Sequence, residues 1–164
     1  MGPVKERLER ELESGSAERT HALGVVLGRA LRPGDFIGLE GELGAGKTQF
    51  ARGVAEGAQV PRGEVASPSF AIVYPYRGRI PLYHADLYRL ADEDELYATG
   101  YFDLLEGGDG ALLVEWIDKI PSAAPDERLW MRFEVVGEER RILHCEATGM
   151  RHCALLDEWV GAIA

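Results

Sequence analysis

Short apolar runs alternate with stretches of helical spacing along the chain, and that alternation predicts an α/β protein. Leu23, Val26 or Leu27, and Ala30 or Leu31 recur every three or four residues, the period of a helix that buries one face. Ser14 and Ser16 offer N-caps to this helix, and Pro33-Gly34 stops it after about Leu31. Phe36-Ile37-Gly38-Leu39 is a compact apolar run and reads as a buried strand. From Lys47 to about Glu56, Phe50 and Val54 share one face of a second helix. Phe70 to Tyr74 and Ile80 to His84 are two β-type runs around Arg77-Gly78-Arg79, a hairpin signal. Asp92 to Glu95 reads as the capped, solvated start of a short helix. Gly107 to Gly110 is a turn, and Ala111 to Val114 is a second buried strand that ends in Glu115. Leu129 to Val135 alternates as a strand, Gly137-Glu138-Glu139 turns it, and Arg141 to Glu146 returns. Leu155 to Ile163 predicts a terminal helix, while Arg7 to Leu12 fits a short strand or a helical arm. Together these predict a mixed sheet with a parallel centre, antiparallel hairpins, and helices on both faces.

Length adds the expectation of one domain over residues 1–164. No apolar run approaches the roughly 20 residues needed to span a bilayer. The start, MGPVKERLERELES, lacks the apolar stretch of a secretory signal and a Ser or Thr at the myristoylation position. A cytoplasmic protein without a membrane partner is expected. The formal charge of −10 argues against gripping a nucleic-acid backbone unaided; if a nucleic acid matters, a partner holds most of it. Cys145 and Cys153 follow His144 and His152 but have no CxxC spacing, which argues against zinc.

The chemistry concentrates in Gly41-Glu42-Leu43-Gly44-Ala45-Gly46-Lys47-Thr48, a G-x-x-x-x-G-K-[ST] loop between a predicted strand and a predicted helix, the context the motif requires. Gly41, Gly44 and Gly46 let the backbone curl without side-chain clash. Successive N–H groups then form an anion nest, and the following helix adds the positive end of its dipole. Ala45 contributes its amide to that nest. Lys47 would reach the β and γ phosphates of a nucleoside triphosphate, and Thr48 would place its hydroxyl on Mg²⁺. Glu115, at a buried strand end, fits the second acidic element of such a site, holding Mg²⁺ directly or through water, or orienting the attacking water. Trp116 beside it covers the site or fills the core. In Tyr83-His84-Ala85-Asp86-Leu87-Tyr88-Arg89, Asp86 is placed to orient water or support the metal. His84 reads as a core histidine, and Arg89 as a salt-bridge partner or a phosphate ligand.

The chain contains no Asn, so it lacks the Asn-Lys-x-Asp element with which small guanine-nucleotide switches read their base. ATP is therefore the expected nucleotide. A small-molecule kinase would need an acceptor pocket and a lid, for which only Arg62 to Ser69 offers a segment. A nucleotide-gated binding module is the third class.

Beyond the loop, several ordered segments resemble the TsaE (YjeE) family, the ATPase of the bacterial tRNA threonylcarbamoyladenosine pathway. Thr20 lies in a pre-loop helix like the family's Thr. Gly41–Thr48 resembles GDLGAGKT, and Val65-Ala66-Ser67-Pro68-Ser69-Phe70 resembles V-x-S-P-T-F. Leu82–Leu90 resembles the segment containing YHFDLYRL, Glu95-Leu96 with Gly100 resembles E-L-x-x-x-G, and Leu113-Val114-Glu115-Trp116 resembles L-I-E-W. The resemblance implies ATP and Mg²⁺ as ligands and a partner-dependent ATPase working with TsaB and TsaD, which modify an adenosine beside the tRNA anticodon. tRNA would be met indirectly, through that complex. By the same likeness Lys47, Asp86 and Glu115 are catalytic, and Thr48 and Glu115 hold the metal. Thr20, Gly41, Gly44, Ala45, Gly46, Lys47, Thr48, Ser69, Trp116 and Arg141 (or Arg140 beside it) surround the nucleotide. Ser69 stands for the family's Thr, Glu42 for Asp, Gln49 for Thr, Ala85 for Phe, and Ile117-Asp118-Lys119 for Pro-Glu-Arg.

Overall fold

The protein is described from a computed structural model over residues 6–65 and 72–163. Among these, seven strands form one sheet in the order β1-β7-β6-β2-β5-β4-β3. The strands are β1 (Arg7–Ser14), β2 (Phe36–Glu40), β3 (Val73–Arg77), β4 (Pro81–Asp86), β5 (Ala111–Glu115), β6 (Arg128–Val135) and β7 (Arg141–Thr148). The pairs β6–β2, β2–β5 and β5–β4 are parallel. The pairs β4–β3, β6–β7 and β7–β1 are antiparallel. The expected parallel centre with antiparallel margins is therefore present.

Alternation along the strands divides the core in two. Ile37 and Leu39 of β2 and Leu113 of β5 join a cluster with α1 (Ala17–Ala30), α2 (Lys47–Gly57) and α5 (Met150–Ile163). Phe36, Leu112 and Val114 point the other way, into a second cluster with Leu96 of α3 (Glu93–Ala98) and Tyr101 of α4 (Tyr101–Gly107). Helices thus cover both faces of the central strands.

Some boundaries differ from those the sequence suggests. Arg7 to Ser14 is a strand, fixed by its antiparallel register with β7, in which Leu12 faces Leu143. Ser16 alone caps α1, accepting from the Arg19 N–H at 3.0 Å, because Ser14 closes β1. The hairpin strands are Val73–Arg77 and Pro81–Asp86, later than expected on both sides, because Arg77 pairs with Pro81 and only Gly78 to Ile80 form the turn. Phe70 and Ala71 lie outside the described residues. α5 begins at Met150. Its first turn is polar for a reason helical periodicity does not register: Arg151 clasps Asp35 in a two-bond pair, and His152 Nε2 accepts the Phe36 N–H at 3.0 Å.

α1 and α2 meet backbone to backbone. A Cβ added at Gly24 or Gly28 of α1, or at Gly53 or Gly57 of α2, would lie less than 3.0 Å from a carbonyl oxygen of the facing helix. Only glycine permits that approach. The clasp fixes α2, and with it the loop that opens α2.

Candidate functional site

The carboxyl ends of β2, β5 and β4 lie side by side, with Leu39 opposite Glu115 and Glu115 opposite Asp86. This edge is where open α/β sheets place their chemistry. β2 leaves the sheet at Glu40, and the chain turns through Gly41 to Gly46 before α2 starts at Lys47. Gly44 and Gly46 hold left-handed backbone (φ 81° and 104°), which a side chain would resist. Gly46 occupies the N-cap of α2 without a side-chain cap, so the first-turn N–H groups face the loop's interior. Arg141 holds the loop from outside: its Nε donates to Ala45 O at 3.1 Å and its Nη2 to Gly44 O at 3.2 Å. With those carbonyls drawn outward, the nest amides turn inward.

Thr20 backs the loop from α1. Its methyl lies 3.6 Å from where a Gly46 Cβ would stand. Its hydroxyl is committed to Ser14 Oγ at 2.7 Å and to Ser16 O at 3.2 Å.

Lys47 is buried. Its amine donates to the carbonyls of Gly41 and Glu42 and lies 3.6 Å from the ring centroid of Trp116, a cation–π contact. Burial lowers the Lys47 pKa, and the charges of Glu115, Asp118, Asp86 and Glu42 oppose that shift. Trp116 reaches the amine because its own backbone is left-handed (φ 60°, ψ 37°), a conformation costing an ordinary residue roughly 1–2 kcal/mol. Tyr88 packs on the indole with centroids 4.9 Å apart. Lys119 donates to the Tyr88 carbonyl and sits over its ring. A cavity of about 580 Å³ opens beside the loop, lined by Gly41, Glu42, Leu43, Trp116, Asp118 and Phe133 among others.

At the second residue of α2, the Thr48 hydroxyl donates to Glu115 Oε1 at 3.0 Å. The other oxygen of Glu115 lies 2.6 Å from His84 Nε2, with both side chains buried. Asp86, two residues along β4, accepts the Tyr88 N–H at 2.9 Å. Burial raises the Asp86 pKa above the ordinary carboxylate range, aided by Glu115 and opposed by the Tyr88 N–H, His84 and Lys47.

Thr48 and Glu115 present two hard oxygen donors, and among the described residues no three acidic, His or Cys side chains are arranged to hold a metal ion by themselves. That set suits Mg²⁺, which keeps several waters and takes phosphate oxygens for the rest of its octahedron.

The structure therefore brings together Lys47, Thr48, Asp86, Glu115 and Trp116, and places Thr20 and Arg141 behind the loop. Arg89 is exposed on the turn after β4, and Ser69 lies outside the described residues. His84 is the buried, hydrogen-bonded core histidine the sequence suggests, and it also contacts Glu115. The contact had a trace in the sequence: His84 and Asp86 are two apart on a strand and so share a face.

A family model for "Threonylcarbamoyl adenosine biosynthesis protein TsaE" matches residues 14–143. The TsaE protein of Bacillus subtilis is 41% identical over 143 residues, covering 86% of this chain and 87% of its own length. That of Treponema pallidum is 35% identical over 128 residues, covering 78% and 93%. The crystal structure of Bacillus subtilis YdiB superimposes with a TM-score of 0.78 at 32% identity, covering 99% of this chain and 100% of that one. The family model spans most of the chain and the sheet superimposes on a solved relative over nearly its whole length: the chain belongs to the TsaE family of tRNA threonylcarbamoyladenosine biosynthesis proteins.

Proposed function

We propose that this chain binds MgATP and hydrolyses it as an accessory subunit in threonylcarbamoylation of the tRNA adenosine next to the anticodon, working with TsaB and TsaD homologues. The observation that carries the reading is the Thr48–Glu115 hydrogen bond at 3.0 Å, beside a glycine nest that opens α2. It joins the two oxygen donors a phosphate-loop ATPase uses for its metal.

Each residue then has a task. The N–H groups of Gly44 to Thr48 line the phosphates, and Lys47 leaves the carbonyls of Gly41 and Glu42 to donate to the β and γ oxygens. Thr48 and Glu115 hold the metal, and bound Mg²⁺ would neutralise charge developing on the phosphates. Asp86 accepts a hydrogen bond from the attacking water and fixes its line of approach. Trp116 shields the amine of Lys47 from solvent. Thr20 and Arg141 set the loop's shape from behind, close to the nucleotide, and Ser69 completes the set on the family's pattern. The acidic chain leaves tRNA to its partners. No helix among the described residues is long and apolar enough to cross a membrane, in keeping with work in the cytoplasm.

Phosphate release with and without TsaB and TsaD homologues tests the proposal. Slow release alone, stimulated by the partners and abolished by Lys47→Ala, is expected. Equal release under both conditions, with tRNA modification unaffected by Lys47→Ala, would sink it. A phosphorylated small acceptor would make the chain a kinase instead.

A further inference from the structure

We propose that His84 is a positioning residue for the metal-binding carboxylate, an assignment that rests on the MgATP reading above. The carboxylate of Glu115 is almost wholly removed from solvent, at 1% exposure, as is His84 at 3%. An ionised carboxylate only accepts hydrogen bonds, so the 2.6 Å contact requires the proton on His84 Nε2. A neutral ring then offers the lone pair of Nδ1 on its far side. The Tyr76 hydroxyl lies 3.4 Å from that nitrogen and donates to it. The chain Tyr76–His84–Glu115–Thr48 therefore runs in one donor direction up to the carboxylate, and Thr48 donates to Glu115 from the opposite side.

The consequence is geometric. With Oε2 tied to the imidazole, Glu115 presents one oxygen, Oε1, to Thr48 and to the metal position beside it. His84 thus leaves Oε1 as the oxygen that would meet a metal, and it stops the carboxylate from swinging toward Asp86, whose pKa Glu115 helps to raise. A tie between strands is a weaker account. β4 and β5 are already joined by parallel pairing from Leu82–Ala111 to Asp86–Glu115. A buried carboxylate hydrogen-bonded to a neutral ring carries a desolvation cost that an apolar pair of the same volume avoids. Histidine here costs stability and supplies direction, as the outer partners of metal ligands do.

The test uses the full chain with His84→Ala, His84→Gln and Tyr76→Phe. Calorimetry measures ATP affinity in EDTA and in rising Mg²⁺, and phosphate release is followed against Mg²⁺ with the partners present. His84→Ala is expected to keep its metal-free ATP affinity while needing about 10- to 100-fold more Mg²⁺. His84→Gln, whose amide can donate to Oε2, recovers most of that loss. Tyr76→Phe shows a smaller loss of the same kind. An unchanged Mg²⁺ response in His84→Ala overturns the assignment. So does an equal loss of metal-free ATP binding in His84→Ala and His84→Gln, the behaviour of a plain core residue. A wild-type chain with no gain in ATP affinity on adding Mg²⁺ and no phosphate release overturns the MgATP reading itself, and His84 with it.

Discussion

Single residues in this protein are governed by what burial does to charge. Asp86 keeps a raised pKa because desolvation outweighs the Tyr88 N–H and the nearby Lys47. A half-buried carboxylate with a raised pKa contributes little to folding. Asp86→Ala is expected to leave the melting temperature near that of the wild type and to lower partner-stimulated phosphate release by about a hundredfold or more; normal release would remove Asp86 from the mechanism. His152 shows the opposite balance. Burial lowers its pKa, with Asp35 and Arg151 acting in opposite senses, and its Nε2 must stay unprotonated to accept the Phe36 N–H. Its folded pKa lies below its unfolded one, so the stability it contributes is complete above about pH 6.5 and is lost as pH falls through the folded value. Urea titrations from pH 7.5 to 5.5 should show His152→Gln losing less stability over that interval than the wild type. A residue's type was readable in the sequence in both cases. Its environment was not, because Asp35 and Arg151 lie 116 positions apart.

At the level of elements, local signals were legible wherever one segment carries the whole pattern. β2, the loop and α2 stand where apolar runs and glycines put them, since that unit is contiguous. The hairpin strands and the start of α5 moved because their bounds are set by partners elsewhere: the register of Ala85 against Val114 for β4, and Asp35 and Phe36 for the first turn of α5. The clasp between α1 and α2 had a visible trace in the spacing Gly24-x-x-x-Gly28 and Gly53-x-x-x-Gly57, which periodicity of large apolar residues passes over. Gly24→Ala or Gly53→Ala forces the helices apart and is expected to cost about 1–3 kcal/mol. Gly15→Ala, with open space around it, should cost far less. Urea midpoints measure the difference, and equal midpoints would show that the helices separate freely.

The whole molecule is a parallel centre carrying the candidate site and an antiparallel margin carrying support. The family match ends at residue 143, yet α5 lies beyond it and closes the core. Trp159 is fully buried, packs on Phe50 of α2 with centroids 5.9 Å apart, and donates to Leu23 O at 3.0 Å. Trp159→Ala is expected to destabilise the protein by about 3–5 kcal/mol and, through Phe50, to loosen the loop helix. Thermal melts with and without ATP follow both effects. The parallel centre and antiparallel margins were legible from the order of runs, whereas the position of β6 beside β2 was not, since no local pattern records which strand a returning chain joins. The four glycines between α1 and α2 have a further bearing on how this family can vary. In a saturating substitution screen for growth, Gly24, Gly28, Gly53 and Gly57 should tolerate change as poorly as Lys47, though they lie in the seam between α1 and α2. A heat map drawn from such a screen would paint the helix seam and the glycine loop in one colour, and only a binding assay on the surviving folded variants would separate scaffold from site.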